Sequence, residues 1–330
     1  MSRSAEAAAV LNAPGRVPDF FIVGHPKCGT TALYEMLRCH PQIYMPDFKE
    51  PWFFAEDMRP RFQPARSGTV PDTLERYVRL FEAAGVDQRV GEASSSYLRS
   101  RQAAERIAQL RPDARIIAIL REPASFLSSL HHQLLSDHIE TKKDLGDAIA
   151  REGARREGRK IPRRSHLPQM LIYSDHVRYV EQLRRYHAVF SAEQVMVLIY
   201  DDFRSDNRAT LRRVQEFLGV SDEAPIELID ANISNKRMRS QQLDDLVNVV
   251  SVGAGPVARG VKGAVKLFTT SGLRSSAMRA TRSHLVYGKP QPPDEGLMRD
   301  LRRRYRGEVL ALSEYLGRDL ERLWGYDRLD

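Results

Sequence analysis

The chain has 330 residues, 42% hydrophobic and 28% charged, a balance ordinary for a globular protein with a buried core. Against 43 acids stand 51 lysines and arginines, a net charge of +8 that suits a polyanionic small molecule, nucleic acid or an acidic membrane surface. Two cysteines are too few to staple a secreted fold, no run of 18 apolar residues is present to cross a membrane, and the arginines do not alternate with aromatics as a base-stacking platform would require. No nucleic-acid partner is therefore expected.

Residues 1–16 are Ala-rich without a continuous apolar core and read as a disordered lead-in to a single domain over 17–330. Residues 20–23 (FFIV) are apolar on both faces, as in a buried parallel strand. A turn bounded by Gly24 and Gly29 follows, with Lys27 inside it and Thr30 and Thr31 opening an amphipathic helix. Inward N–H groups, hydroxyls and the positive end of the helix dipole make this a cradle for a doubly charged, phosphoryl-like group. A nucleotide-triphosphatase loop would carry lysine directly after the second glycine, where Thr30 stands here. Cys28 has no obvious base nearby and reads as a small loop residue rather than a nucleophile.

Further along, residues 43–45 are extended and residues 49–54 (KEPWFF) form an aromatic stretch around one carboxylate, Glu50. Helix is expected over 72–84, strand over 89–92, helix over 100–110 and a buried strand over 115–120 (RIIAIL). Arg121 stands at the carboxyl end of that strand, where ligands gather in open α/β folds, and Ser129 lies on the helix opened by Pro123. A guanidinium fork with a serine hydroxyl suits a second phosphate, although an Arg121–Glu122 surface pair would also fit. Residues 140–166 read as a mobile, charged surface excursion, 169–190 as one helix, 195–200 as a strand and 207–218 as a helix stopped by Gly219. Glycines interrupt 252–275, which reads as a lid, a helix packed on the core or a cationic helix touching lipid peripherally; 294–323 is helical. Strands alternating with helices predict an α/β fold, a mainly parallel sheet with helices on both faces and a helical C-terminal region.

The segment Pro26-Lys27-Cys28-Gly29-Thr30-Thr31 resembles the 5′-phosphosulfate loop of sulfotransferases that use 3′-phosphoadenosine-5′-phosphosulfate (PAPS), in the version of the glycosaminoglycan and bacterial small-molecule branch. The resemblance implies a P-loop-like core and donor binding by Lys27, Cys28, Gly29, Thr30 and Thr31. It places the 3′-phosphate on Arg121, Pro123 and Ser129, with Lys236, Arg237 and Arg239 on a late loop reaching the 3′-phosphate or adenine; a solvated basic loop is the bland alternative. No metal is implied, and the product is adenosine 3′,5′-bisphosphate. Glutamate before an aromatic pair supplies the general base in that branch, which maps onto Glu50, while Lys27 stabilises the leaving oxygen.

An aromatic setting would suit Glu50 as a base near neutrality, although pairing with Lys49 in an exposed loop is the competing reading. His131 and His132 are the rival bases, and His25 could contact the donor or fill a turn position. The segment 91–97 (GEASSSY) resembles one lining the acceptor pocket; Ala93 stands where the branch has a lysine, and Lys49 is a candidate substitute. Lys49, Trp52, Glu92 and His131 are thus the expected acceptor-side residues, and the 52–54 aromatics hint at a lipophilic or ring-containing acceptor. The expected function is in-line transfer of a sulfuryl group from PAPS to a hydroxyl or amine of a small-molecule, lipid or carbohydrate acceptor, in the cytoplasm. The alternatives are a P-loop kinase or other nucleotide-binding phosphotransferase, and a non-catalytic basic module binding nucleic acid or membrane. Acceptor identity and oligomeric state are left open.

Overall fold

A computed structural model describes residues 16–60, 70–163, 165–223, 237–238, 287–288 and 294–329. Contacts divide the chain into two compact units, Met1–Asn232 with Asp294–Asp330, and Ile233–Pro293. In the second unit, β6 (Arg237–Met238) pairs antiparallel with β7 (Tyr287–Gly288). The expected lead-in and the 252–275 stretch lie outside the described residues.

The first unit is built on the expected α/β plan. Its strands are β1 (Phe20–Ile22), β2 (Ile43–Tyr44), β3 (Arg89–Ala93), β4 (Arg115–Leu120) and β5 (Val195–Ile199), all parallel, in the spatial order β2-β3-β1-β4-β5. β1 is central, and its three residues are fully buried, which is why the run is apolar on both faces. Ile22 faces Ala93 on one side and Ile117 on the other, so the segments leaving β1, β3 and β4 emerge at one edge of the sheet. Helices α1 (Thr30–Arg38), α2 (Leu74–Val78), α3 (Ala103–Leu110) and α4 (Pro123–Ser136) follow these strands in turn. No described helix is long and apolar enough to cross a membrane.

Two stretches depart from expectation. Residues 140–166 are tied to the core by α5 (Leu145–Ile149) and α6 (Glu152–Arg156). Arg155 and Glu140 pair at 2.7 Å with side chains only 1% and 0% exposed, so charges that read as solvated face inward. The helix expected over 169–190 breaks into a 3-10 turn (Pro168–Leu171), α7 (Tyr173–His176) and α8 (Tyr179–His187). The break is held by Gln182, whose amide donates to the carbonyls of Asp175 and His176 at 2.8 and 3.3 Å. The remaining described helices are α9 (Tyr200–Ser205), α10 (Asn207–Leu218), α11 (Glu295–Leu316) and α12 (Leu320–Trp324). Gly219 and Gly317 take the left-handed conformation that stops α10 and α11.

Glu140→Ala would leave the Arg155 guanidinium buried and unpaired. The expected loss is about 3–5 kcal/mol of stability, read as a lower urea midpoint with an unchanged slope; an unchanged midpoint would show that the pair is not anchoring this stretch.

Candidate active site

The first cradle forms where β1 hands over to α1. A Cβ at Gly24 would lie 2.1 Å from the Ile119 backbone nitrogen, so only glycine lets the loop pass so close to β4. Lys27 and Gly29 both adopt positive φ, 67° and 89°, curling the loop over the start of α1. Gly29 supplies no side-chain cap and α1 has no acid in its first turn, so its positive dipole end is not neutralised locally. The Lys27 ammonium reaches Gln133 Oε1 at 3.4 Å. Burial first, then the charge of Arg121, hold its pKa below the ordinary lysine value, against the pull of Asp137. A partly desolvated cation beside an uncapped helix acts more strongly on an anion than one in water.

The second cradle follows β4. Arg121 donates to the Lys27 carbonyl at 3.0 Å and lies 4.7 Å over the Tyr200 ring, while its own carbonyl accepts from the Tyr179 hydroxyl at 2.9 Å. The guanidinium therefore stands against the first loop, so the two cradles adjoin. Glu122 turns away to cap α4, accepting from Ala124 N and Ser125 N at 3.0 and 2.6 Å, rather than pairing with Arg121 on the surface. Ser129 is half-buried on α4.

Glu50 lies across from the first loop in a turn anchored by its own N–H to the Ala93 carbonyl, 3.0 Å. Glu50 and Trp52 have φ of 62° and 50°, and with Lys27 they make three of the five non-glycine positive-φ residues described. Each costs about 1–2 kcal/mol, and such strain gathers where function dictates geometry. The carboxylate is 25% exposed. Its Oε2 accepts from Ser95 N and the Trp52 indole, both at 2.9 Å; its Oε1 accepts from the Ser95 hydroxyl at 2.7 Å and the Lys49 ammonium at 3.4 Å. Lys49 also donates to Thr31 Oγ1 at 3.1 Å. Thr31, Lys49 and Glu50 thus form one polar line from the helix start to the carboxylate.

Several expected site residues sit elsewhere. Trp52 is a hydrogen-bond donor to Glu50 rather than an apolar wall, and Phe53 and Phe54 are buried against Tyr77 with ring centroids 4.5 and 5.2 Å away. The aromatic patch offered to an acceptor reduces to Trp52. Glu92 is fully buried, behind the Glu50 turn rather than on a pocket wall. His131 is buried with Nδ1 at 2.8 Å from the Tyr173 hydroxyl and Nε2 at 3.0 Å from the Lys143 carbonyl, so neither nitrogen faces an acceptor. His132 Nδ1 is held by the Ser128 carbonyl at 2.8 Å. His25 is a core residue bonded to Gln182 at 2.7 Å, its pKa pushed down to about 3, chiefly by burial. Lys236 and Arg239 lie outside the described residues; for Arg237 only the backbone, in β6, is described.

Sequence reasoning covered Ser95 only as part of the 91–97 segment and did not single it out, and it passed over Tyr200 and Phe203. Ser95 belongs to a serine run directly after β3, and Tyr200 opens α9 directly after β5, so strand-end position was the available signal. Phe203 packs on the loop so closely that a Cβ at Gly29 would come within 2.9 Å of its ring.

Cys28 is fully buried and burial pushes its thiol up to about 12, whereas Cys39 is exposed. A thiol reagent applied to the native protein at about pH 8 is expected to label Cys39 alone, and Cys28 only on unfolding; prompt labelling of both would contradict the inert role of Cys28.

Residues 18–224 match the model of the Sulfotransferase family. Among solved structures, a sulfotransferase from Alicyclobacillus acidocaldarius is 32% identical, with a TM-score of 0.58 over 71% of this chain and 91% of that one. Among curated proteins, mouse bifunctional heparan sulfate N-deacetylase/N-sulfotransferase 4 is 28% identical over 210 residues, and mouse carbohydrate sulfotransferase 15 is 26% identical over 259. Each match covers 62% of this chain, but only 22% and 44% of those relatives. A family match that spans all five strands of the parallel sheet settles the assignment: the chain belongs to the sulfotransferase family.

Proposed function

We propose that this protein moves a sulfuryl group from PAPS to a hydroxyl or amine of a small-molecule or carbohydrate acceptor, releasing adenosine 3′,5′-bisphosphate. The observation that carries the reading is the Thr31–Lys49–Glu50 line, which sets a carboxylate and a cation beside the anion cradle. In this reading the uncapped start of α1, the loop amides and Lys27 hold the 5′-phosphosulfate, while Arg121 and Ser129 take the 3′-phosphate. The acceptor oxygen or nitrogen attacks sulfur in line with the bridging oxygen. As the new bond to sulfur forms, the old sulfur–oxygen bond breaks, the acceptor proton passes to Glu50, and the leaving phosphate oxygen takes up charge beside Lys27.

Lys49 supplies the second cation at the sulfuryl oxygens, a role that Ala93 cannot fill. Ser95 and Trp52 hold the Glu50 carboxylate toward that position, which limits the geometries it samples. The relatives' names speak of heparan sulfate and carbohydrate acceptors; a hydroxyl- or amine-bearing acceptor follows for this chain as part of the proposal. Its place of action is proposed as the cytoplasm, in keeping with two unpaired cysteines.

Glu50→Gln should bind adenosine 3′,5′-bisphosphate within about threefold of the parent while transfer of labelled sulfate from PAPS into a small-molecule and lipid extract falls about 100-fold or more. Unchanged turnover would remove Glu50 as the base. Chelation of divalent metals should leave that transfer unaltered. In calorimetry, Arg121→Ala should weaken adenosine 3′,5′-bisphosphate by about 30-fold and adenosine 5′-phosphate by much less; equal losses would place Arg121 away from the 3′-phosphate. Tight binding of ATP–magnesium with no heat from the bisphosphate would overturn the reading as a whole.

A further inference from the structure

Glu92 is a carboxylic acid in the middle of the sheet. It lies in β3 opposite Phe21 of the central strand and is 0% exposed. Its Oε2 accepts from the Tyr77 and Tyr97 hydroxyls at 2.8 and 3.0 Å, while among the described residues its Oε1 has no hydrogen-bond partner. Among the described residues, no basic side chain forms an ion pair with it. The titratable groups facing it are Tyr77 from α2, Tyr97 from the segment after β3, Tyr186 from α8 and Glu50 from the opposite turn. Desolvation drives its pKa up to about 7, with the hydroxyls of Ser94, Tyr77 and Tyr97 pulling back and the charge of Glu50 pushing further.

The groups around Glu92 also hold the turn that carries Glu50. The Tyr97 hydroxyl, while donating to Glu92, accepts from Phe54 N at 3.3 Å. Next along the chain from β3, Ser94 Oγ accepts from Trp52 N at 3.2 Å. The Tyr77 ring, oriented by its bond to Glu92, stacks on Phe53. The backbone from 52 to 54 therefore hangs from the surroundings of one buried acid, directly after the strained residue Glu50.

We propose that Glu92 is a positioning residue for Glu50: kept protonated by its burial and gripped by two tyrosine hydroxyls, it fixes the strained turn and keeps a second negative charge away from the base. The proposal rests on Glu50 being the base. It gives the site an alkaline limit set by Glu92. As pH rises through about 7, Glu92 ionises, a like charge appears beside Glu50, and the buried Oε1, with no donor to receive, carries charge at a cost that favours opening the turn to water.

The stability consequence has a definite sign. The folded-state value lies above the ordinary glutamate value, so the contribution of the Glu92 proton is complete below about pH 4.5 and is lost progressively up to about pH 7. Above that it is flat.

The test compares the full chain with Glu92→Gln, Tyr97→Phe and Glu50→Gln, using sulfate transfer from labelled PAPS into the extract between about pH 6 and about pH 8.5. Glutamine mimics the neutral acid, so the ratio of Glu92→Gln to parent turnover should rise by about tenfold across that range, with affinity for adenosine 3′,5′-bisphosphate unchanged. Tyr97→Phe removes one donor to the carboxylate and should move the alkaline limb upward. Thermal midpoints, which need no acceptor, should show the parent losing ground to Glu92→Gln between about pH 5 and about pH 7 and no further change above.

A constant turnover ratio, an unmoved limb in Tyr97→Phe or a pH-independent midpoint difference each overturns the positioning role. If Glu92→Gln does not fold, the Tyr97→Phe limb decides. Parent transfer with an inactive Glu50→Gln and indifferent Glu92 variants would sink this inference alone. A parent that neither transfers sulfate nor binds the bisphosphate would sink the sulfotransfer reading, and this inference with it.

Discussion

The register of three parallel strands governs everything that gathers at the carboxyl edge of the sheet. With Ile22 opposite both Ala93 and Ile117, β1 and β3 end level with each other while β4 runs on to Leu120, and all three leave toward the same edge. The first exit becomes the anion loop, the second supplies Ser95 and the third supplies Arg121. A slip of one residue would turn every side chain of β1 to the opposite face and carry the loop away from both neighbours. The burial of β1 and nearly all of β4 is therefore what makes the site reproducible. Gly24, which tolerates no Cβ against Ile119, fixes the loop to that register at its first residue.

On this rigid edge the protein holds conformations that a free peptide avoids. Lys27, Glu50 and Trp52 are all left-handed without being glycine. Each is held by contacts outside its own turn: the Lys27 carbonyl by Arg121, Glu50 by the Ala93 carbonyl and both donors of Ser95, and the Trp52 amide by Ser94. Three of those four partners follow or end β3. The same short segment thus orients the carboxylate and carries the buried acid Glu92 behind it, so the strain at the front and the unpaired oxygen at the back share one support.

The parts of the fold legible in the sequence were those where side-chain pattern and backbone state agree. Residues 115–120 and 207–218 were read to the residue, because an apolar run in the first and a periodic face ended by glycine in the second leave little choice. The turn from β1 into α1 was legible from Gly24 and Gly29, which bracket it. The failures share a cause, since each depends on a partner distant in the chain. The charges over 140–166 looked solvated because the pairing of Glu140 with Arg155 cannot be seen along the sequence. Phe53 and Phe54 looked like an acceptor patch because Tyr77, which receives them, lies far along the chain in α2. Glu92 looked like a pocket residue because a carboxylate inside a parallel sheet is the less common fate.

Acids near an anion site present a problem that the C-terminal helices resolve. Glu122 adjoins Arg121, and Asp201 and Asp202 follow Tyr200, the ring beneath that arginine; left open, all three would repel a phosphate. Each is instead engaged by a residue between 318 and 326. Arg318 pairs with Asp202 at 2.7 Å, the Trp324 indole donates to Asp201 at 2.9 Å, and the Tyr326 hydroxyl donates to Glu122 at 2.6 Å. Glu122 also spends its oxygens on the first amides of α4, and Arg302 of α11 lies 3.7 Å away. The charge of Arg121 is then left to act on the loop side, where it adjoins the Lys27 carbonyl. The segment after Gly317, remote in sequence from both cradles, thereby sets one opposite charge and two hydrogen-bond donors against these acids.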